Sequence, residues 1–311
     1  MRKQAFALIL GLISGISALG SAAQAEGFHF SDRVTLGVGR LFNNDFLGDN
    51  KDRWQTGGYS LSVMRGEGWT GTLPDHPFEI MEYRFGGRII APSRLRNPAP
   101  GDRPYAGLLE FLAQTHYQMG QIETSGGLGL TAVGPGTGIG RLQSTLHSLL
   151  GASKPNVLDD QLENHLYPVV TGEMARSYEL GGAELRPFIE GRAGDETLLR
   201  AGFDLSFGAR ERGALWLRDE VTGQRYVGIS GNSRPGVAFT IGGDMAYVSE
   251  SAWLPGSAGV TMENHRSRLR AGVEMRGANA GLFYGVTWLS KEFKEQPEDQ
   301  VVGSLRLRMN F

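Results

Sequence analysis

Apolar and polar residues alternate along most of this chain with a period of two. Val34, Leu36 and Val38 alternate with Thr35, Gly37 and Gly39, and Leu109, Phe111, Ala113, Thr115, Tyr117 and Met119 with a second set that includes Glu110, Gln114, His116 and Gln118. Leu199, Ala201, Phe203, Leu205 and Phe207 repeat the pattern against Arg200, Gly202, Asp204 and Ser206. Further sets are Val237, Phe239 and Ile241; Leu269, Ala271, Val273 and Met275; and Leu282, Tyr284, Val286 and Trp288. Side chains of a strand point alternately to opposite faces, so these runs predict strands with one apolar and one polar face. One segment breaks the period. Leu142, Leu146, Leu149 and Leu150 recur at helical spacing, which predicts a short helix over 140–150 with an apolar stripe, stopped by Gly151 and Pro155.

The two ends of the chain place this pattern in a membrane. Arg2 and Lys3, the apolar run Ala5 to Leu19 and the small residues of Ala23-Gln24-Ala25 predict a signal peptide over 1–25 and a single domain over 26–311. At the other end Leu305, Leu307, Met309 and Phe311 alternate with Ser304, Arg306, Arg308 and Asn310, resembling the terminal strand of bacterial outer-membrane barrels. Several runs approach the 9–11 residues that a tilted strand needs to cross a bilayer. The expected fold is therefore all-β: a transmembrane antiparallel barrel of about 12 strands, apolar outward, with Arg200, Asp204, Arg268, Arg270 and Glu274 in the lumen and a short helix in a loop near the barrel mouth.

Composition narrows the chemistry. The chain has no cysteine among 311 residues, which excludes disulfides and thiol nucleophiles, and its net charge of −2 is not a nucleic-acid-binding balance. Its 46 glycines are scattered among the alternating runs, as strand bends and tight turns require. Loops are expected at 69–77, 91–101, 134–140, 152–170 and 291–299, and the longest break in alternation, 134 to about 170, is the expected functional insertion.

That insertion carries His147, beside the leucines of the helix. A histidine there is either a satisfied polar contact or a general base held at the barrel mouth; Ser144, one turn earlier, adds a nucleophile to the second reading. The stretch from Asn43 to Gly58 is either a polar hairpin loop or a set of carboxylates, amides and Thr56 suited to Ca²⁺ or to an oxyanion. Asp102-Arg103-Pro104-Tyr105 reads as a turn with an Asp–Arg pair at its base. Arg84, Arg88, Arg94 and Arg96 are rim or lumen arginines, or phosphate contacts. The glycine run 134–140 lacks nucleotide-loop spacing, and no GxSxG elbow or HExxH helix is present.

Taken in order, Asn44-Asp45, Asp52-Arg53 through Thr56 and Gly58, Gly101 to Gly107, and the loop from Gly134 through His147 to Asn164 resemble the LpxR family of outer-membrane lipid A 3′-O-deacylases over about 34–311. The resemblance implies Ca²⁺-dependent removal of the 3′-linked acyloxyacyl chain of lipid A, in the lipopolysaccharide of the bacterial outer membrane, by a monomer. It makes His147 the general base, assigns Asn44, Asp45 and Thr56 to the active site, and puts Arg94 and Arg96 at the substrate. Where relatives carry a calcium-linked glutamate, this chain has Ser153, with Asp160 as a further oxygen donor. Two alternatives are an outer-membrane esterase for phospholipid or another lipid A ester, and a barrel without enzymatic activity that acts as a pore or binding protein.

Overall fold

The computed structural model describes residues 33–151, 155–232 and 234–309. The signal-peptide segment 1–25 lies outside these residues, as do Ser153 and Phe311. In chain order the strands are β1 (Val34–Asn44), β2 (Trp54–Gly66), β3 (Ile80–Ala91), β4 (Ala106–Met119), β5 (Ile122–Val133), β6 (His165–Ala175), β7 (Tyr178–Leu180), β8 (Ala183–Ala193), β9 (Glu196–Gly208), β10 (Leu215–Arg218), β11 (Arg225–Ile229), β12 (Gly236–Ser251), β13 (His265–Arg276), β14 (Ala280–Leu289) and β15 (Gln300–Met309). One α-helix, α1, spans Ile139–Leu150.

Twelve of these strands form a ring. Each of β1–β6, β8, β9 and β12–β15 pairs antiparallel with the next, and β1 closes on β15. Closure leaves no sheet edge, so every strand can satisfy its backbone groups where water is absent. The alternation sorts as expected. Leu109, Phe111, Leu199, Phe203, Phe239 and Leu269 are exposed on the outward face, whereas Arg200, Asp204, Arg268, Arg270 and Glu274 are enclosed in the lumen. β6 begins at His165, so the expected irregular segment ends earlier, at Asn164. Both described chain ends and the connections after β2, β4, β6, β9 and β13 lie at one end of the ring; those after β1, β3, β5, β8, β12 and β14 lie at the other, the outer mouth.

The lumen is not open. Between β9 and β12 the chain turns back inside the ring as the hairpin β10–β11, an element that the sequence pattern does not reveal. Leu215, Leu217, Tyr226 and Ile229 pack with Leu41, Met64, Ile80 and Phe283 of the wall. Gly37 permits this approach, because a Cβ there would lie 2.2 Å from the Gly228 carbonyl. The hairpin tip spans the lumen. Arg218 pairs with Asp204 and Glu173, Glu220 with Arg192, Asp219 accepts from Ser60, and the Thr222 carbonyl accepts from Thr287. A polar cavity of about 480 Å³, lined by Trp69, His116, Glu123, Arg186, Trp216 and Arg225, remains beneath it. At the outer mouth Trp253 folds inward among Ile90, Ala106, Leu108 and Val133. A barrel closed at both levels is expected to give no single-channel steps in planar bilayers. Replacing 214–230 by a short Gly-Ser linker is expected to produce them; an equally silent variant would mean that the side-chain lattice alone seals the ring.

Candidate active site

The candidate residues converge on the outside of the barrel, at the outer rim. Asn43 faces the lumen, where its Oδ1 accepts from Ser304, so Asn44 faces outward. It ends β1 and caps the short turn Asp45–Leu47, with Oδ1 accepting from the Phe46 N–H at 2.9 Å. Its Nδ2 donates to the Thr56 carbonyl at 2.8 Å. Opposite stands Gly57, whose lack of a side chain leaves the space beside the amide open. The register of β2 on β3 shifts between Gln55 and Gly57, so Thr56 is an extra residue and leaves the pleat. Trp54, just before it, holds a left-handed φ of 50° while fully buried under the Arg53 guanidinium. Packing sustains this strain at the point where the chain turns to present Asp52.

Thr56 Oγ1 sits between two carboxyl groups, 2.5 Å from Asp52 Oδ1 and 3.1 Å from Asp45 Oδ1. One hydroxyl proton cannot serve both contacts. Burial pushes Asp45 well above the usual aspartate range, opposed by the Arg53 N–H and the Thr56 hydroxyl and reinforced by the neighbouring Asp52 and Asp49 charges. Thr56 Oγ1 is therefore shared between the two carboxyl groups, with the shorter contact to Asp52. The other Asp52 oxygen, Oδ2, lies 3.2 Å from His147 Nε2. Gln143, one turn before His147, reaches Asp52 Oδ1 at 3.4 Å and accepts from the Tyr105 hydroxyl at 2.8 Å. The result is one polar chain: Asp45, Thr56, Asp52, His147.

Helix α1 completes the site from outside the wall. Ile139 packs against Gly87, Gly107 and Leu109, all on the outward face of β3 and β4. Left-handed Gly138 and Gly151 bound the helix. Its buried face is Ile139 and Gln143, not the leucine stripe. Leu142 is 52% and Leu149 66% exposed. The period marks an apolar face correctly, but that face turns away from the protein. A Cβ at Gly107 would lie 2.8 Å from the Ile139 Cβ, so Gly107→Val is expected to displace α1. Since a misplacement of about 1 Å costs on the order of 10²-fold in rate, kcat should fall about that much while heat-dependent gel mobility still reports a folded barrel.

The motif 101–107 serves this arrangement differently from its sequence reading. Arg103 pairs with Glu292 rather than with Asp102, and Asp102 accepts from the Ser93 and Arg103 backbones. Burial opposes the charge on Glu292, but Arg103 and Arg266 hold it down at about 2. Arg94 and Arg96 are exposed and flank Leu95, whose carbonyl accepts from Asn156 in the loop after α1. Asp52 is the functional candidate that sequence reasoning does not single out. Its signal is the Asp52-Arg53 pair four residues before Thr56; its proximity to His147, 95 positions along the chain, is tertiary.

Among the described residues no group of three or more His, Asp or Glu is arranged to hold a metal ion. Asp45 is buried and accepts from the Arg53 N–H and Thr56, Asp52 is engaged by Thr56 and His147, and Asp160 is exposed without a side-chain partner among the described residues. Ser153 lies outside the described residues.

A closed barrel with an apolar outer wall and a polar filled lumen, bearing its polar cluster on the outward rim, is an outer-membrane protein whose site faces lipid rather than the lumen. The chain belongs to the family described as outer membrane protein LpxR, whose profile matches residues 7–311. Among solved structures it is similar to LpxR from Salmonella typhimurium, with a TM-score of 0.71 at 16% identity over 88% of this chain and 100% of that one. At this identity the likeness shows the fold. A weaker likeness, TM-score 0.42 at 10% identity over 90% of this chain and 100% of that one, is to the β domain of the Bordetella autotransporter BrkA. Comparison with curated proteins gives no match.

Proposed function

We propose that this barrel is a lipid A deacylase, hydrolysing the ester of the 3′-linked acyloxyacyl chain in the outer leaflet with His147 as general base. The observation that carries the reading is the contact of His147 Nε2 with Asp52 Oδ2 on the lipid-facing side of the rim. With Asp52 accepting the Nε2–H, the basic lone pair of the imidazole is on Nδ1. His147 takes a proton from water as the oxygen attacks the ester carbonyl. The second N–H of the Asn44 amide, beside Gly57, stabilises the developing oxyanion. Collapse expels the sugar alkoxide, which recovers the proton from the imidazolium; the products are an alcohol and a fatty acid.

Family membership supports the substrate class, and two features of the rim support the approach from lipid. Leu142 and Leu149 present an apolar face beside His147, and Arg94 and Arg96 suit the glucosamine phosphates. Calcium dependence, implied by the resemblance, would draw on Ser153 and Asp160 as oxygen donors. EGTA titration with Ca²⁺ add-back measures it. The function itself is tested by mass spectrometry of lipid A from cells expressing wild type or His147→Ala. Loss of the 3′ acyloxyacyl mass with wild type alone supports the reading. Release of phospholipid fatty acid with intact lipid A would replace it by a phospholipid esterase.

A further inference from the structure

Following the strand register round the ring separates outward from luminal positions at every pair. Among the described residues the outward positions hold three charged side chains. Arg65 and Glu250 each lie one residue from the end of their strand. The third, Arg40, sits within β1, four residues before Asn44. Its outward direction is fixed by its neighbours, since Gly39 meets the hairpin and Leu41 packs in the luminal cluster. Around it on the wall stand Leu61, Phe42 and Tyr59, with Leu305 beyond. A guanidinium on a lipid-facing wall is costly and rare unless an anion meets it, and the arginine stem lets the head rise toward the headgroups.

Arg40 has no hydrogen-bond or ion-pair partner among the described residues. Within its electrostatic reach is the Tyr59 hydroxyl, which is buried and also without a partner. Both groups are donors, and both lie on the same outward rows as the site: Asn44, Phe42 and Arg40 on β1, Gly57, Tyr59 and Leu61 on β2. They stand on the membrane-core side of Asn44, within about 13 Å along the strand. Acyl chains, not headgroup phosphates, extend in that direction from an ester held at Asn44.

We propose that Arg40 and Tyr59 form a subsite for the carboxylate of a long-chain fatty acid, the product that ester hydrolysis at the neighbouring cluster would release into the outer leaflet. The proposal rests on the hydrolase reading for the origin of its ligand. Guanidinium matches carboxylate in a two-bond fork, and the tyrosine hydroxyl supplies a third donor. Holding the acid there draws it away from the sugar hydroxyl and separates the two products.

The test reads binding rather than turnover. Full-length barrel in detergent micelles is titrated with tetradecanoate labelled with ¹³C at the carboxyl, followed by its NMR shift against pH. Wild type is expected to lower the midpoint of the bound acid by about one pH unit or more relative to protein-free micelles. Arg40→Leu, which removes a charge from an apolar wall, should stay folded by heat-dependent gel mobility and return the midpoint to the protein-free value; Arg40→Lys should recover part of the shift. An unshifted midpoint with wild type, or the same shift with Arg40→Leu, overturns the subsite. Dodecyl phosphate, followed by ³¹P NMR, is the second arm. Displacement of the fatty acid by an equal concentration of it would reassign the site to lipid phosphate and overturn the carboxylate. Lipid A mass spectra judge hydrolysis separately, so either idea can fail without the other.

Discussion

His147→Ala is expected to lower kcat for lipid A deacylation by roughly 10²–10⁴-fold, the range that a positioned general base contributes. KM should change little, because the imidazole acts on water rather than on the bound lipid. The barrel should fold as before, since His147 lies on α1 outside the wall and contributes to neither the luminal ion pairs nor the hairpin cluster. Purified variant and wild type, compared on lipid A in mixed micelles, give the two constants. A variant with wild-type kcat would remove His147 from the chemistry and leave its contact with Asp52 structural.

The second large effect is expected at Asp52. In Asp52→Asn the shape is retained, but an amide can turn its NH₂ toward His147 Nε2. The proton then moves to Nδ1, and the nitrogen that should accept a proton from water carries one already. The serine-protease template loses about 10⁴-fold in kcat by this tautomer switch. Here Asp52 is half-exposed, with a side chain 40% accessible, so a loss of about 10³-fold is expected. Raising the pH should not restore it, because the defect lies in which nitrogen bears the proton. Recovery of activity at high pH would show instead that Asp52 acts through charge alone. Thr56→Val should produce a smaller version of the same defect, since Thr56 aligns Asp52 through a 2.5 Å contact.

Much of this protein is legible in its amino-acid sequence. Strand alternation is a local signal, and in a barrel it is a clean one, because most outward positions meet lipid and most inward ones meet the polar lumen or its hairpin. Leu199 to Phe207 can be assigned to faces from sequence alone, and the assignment holds. Asn44-Asp45, Thr56 and His147, singled out along the chain, lie close together at the outer rim. The leucine spacing in α1 predicts a helix with an apolar stripe, and the fold turns that stripe away from the protein. Hydrophobic periodicity reports which face avoids water, and a membrane satisfies that demand as well as a protein interior does. The hairpin 215–229 leaves no comparable local signal. Its strands are short, and the strongest determinants of its position are Gly37 in β1 and ion pairs to Glu173, Asp204 and Arg192, none of them adjacent to it in the chain.

Local pattern is enough for the antiparallel outer-membrane barrel, the faces of its clearly alternating strands and the residue types available at the rim. These follow from periods of two and 3.6 and from short motifs, which depend only on near neighbours. The tertiary structure alone decided that the site lies outside the wall and that Asp52 meets His147. It also decided that a hairpin fills the lumen and that Arg40 faces lipid beneath Asn44. Each of these depends on closing the ring and folding α1 back over Gly87 and Gly107. Ring closure fixes which residues far apart along the chain share one face, and no local pattern encodes that distance.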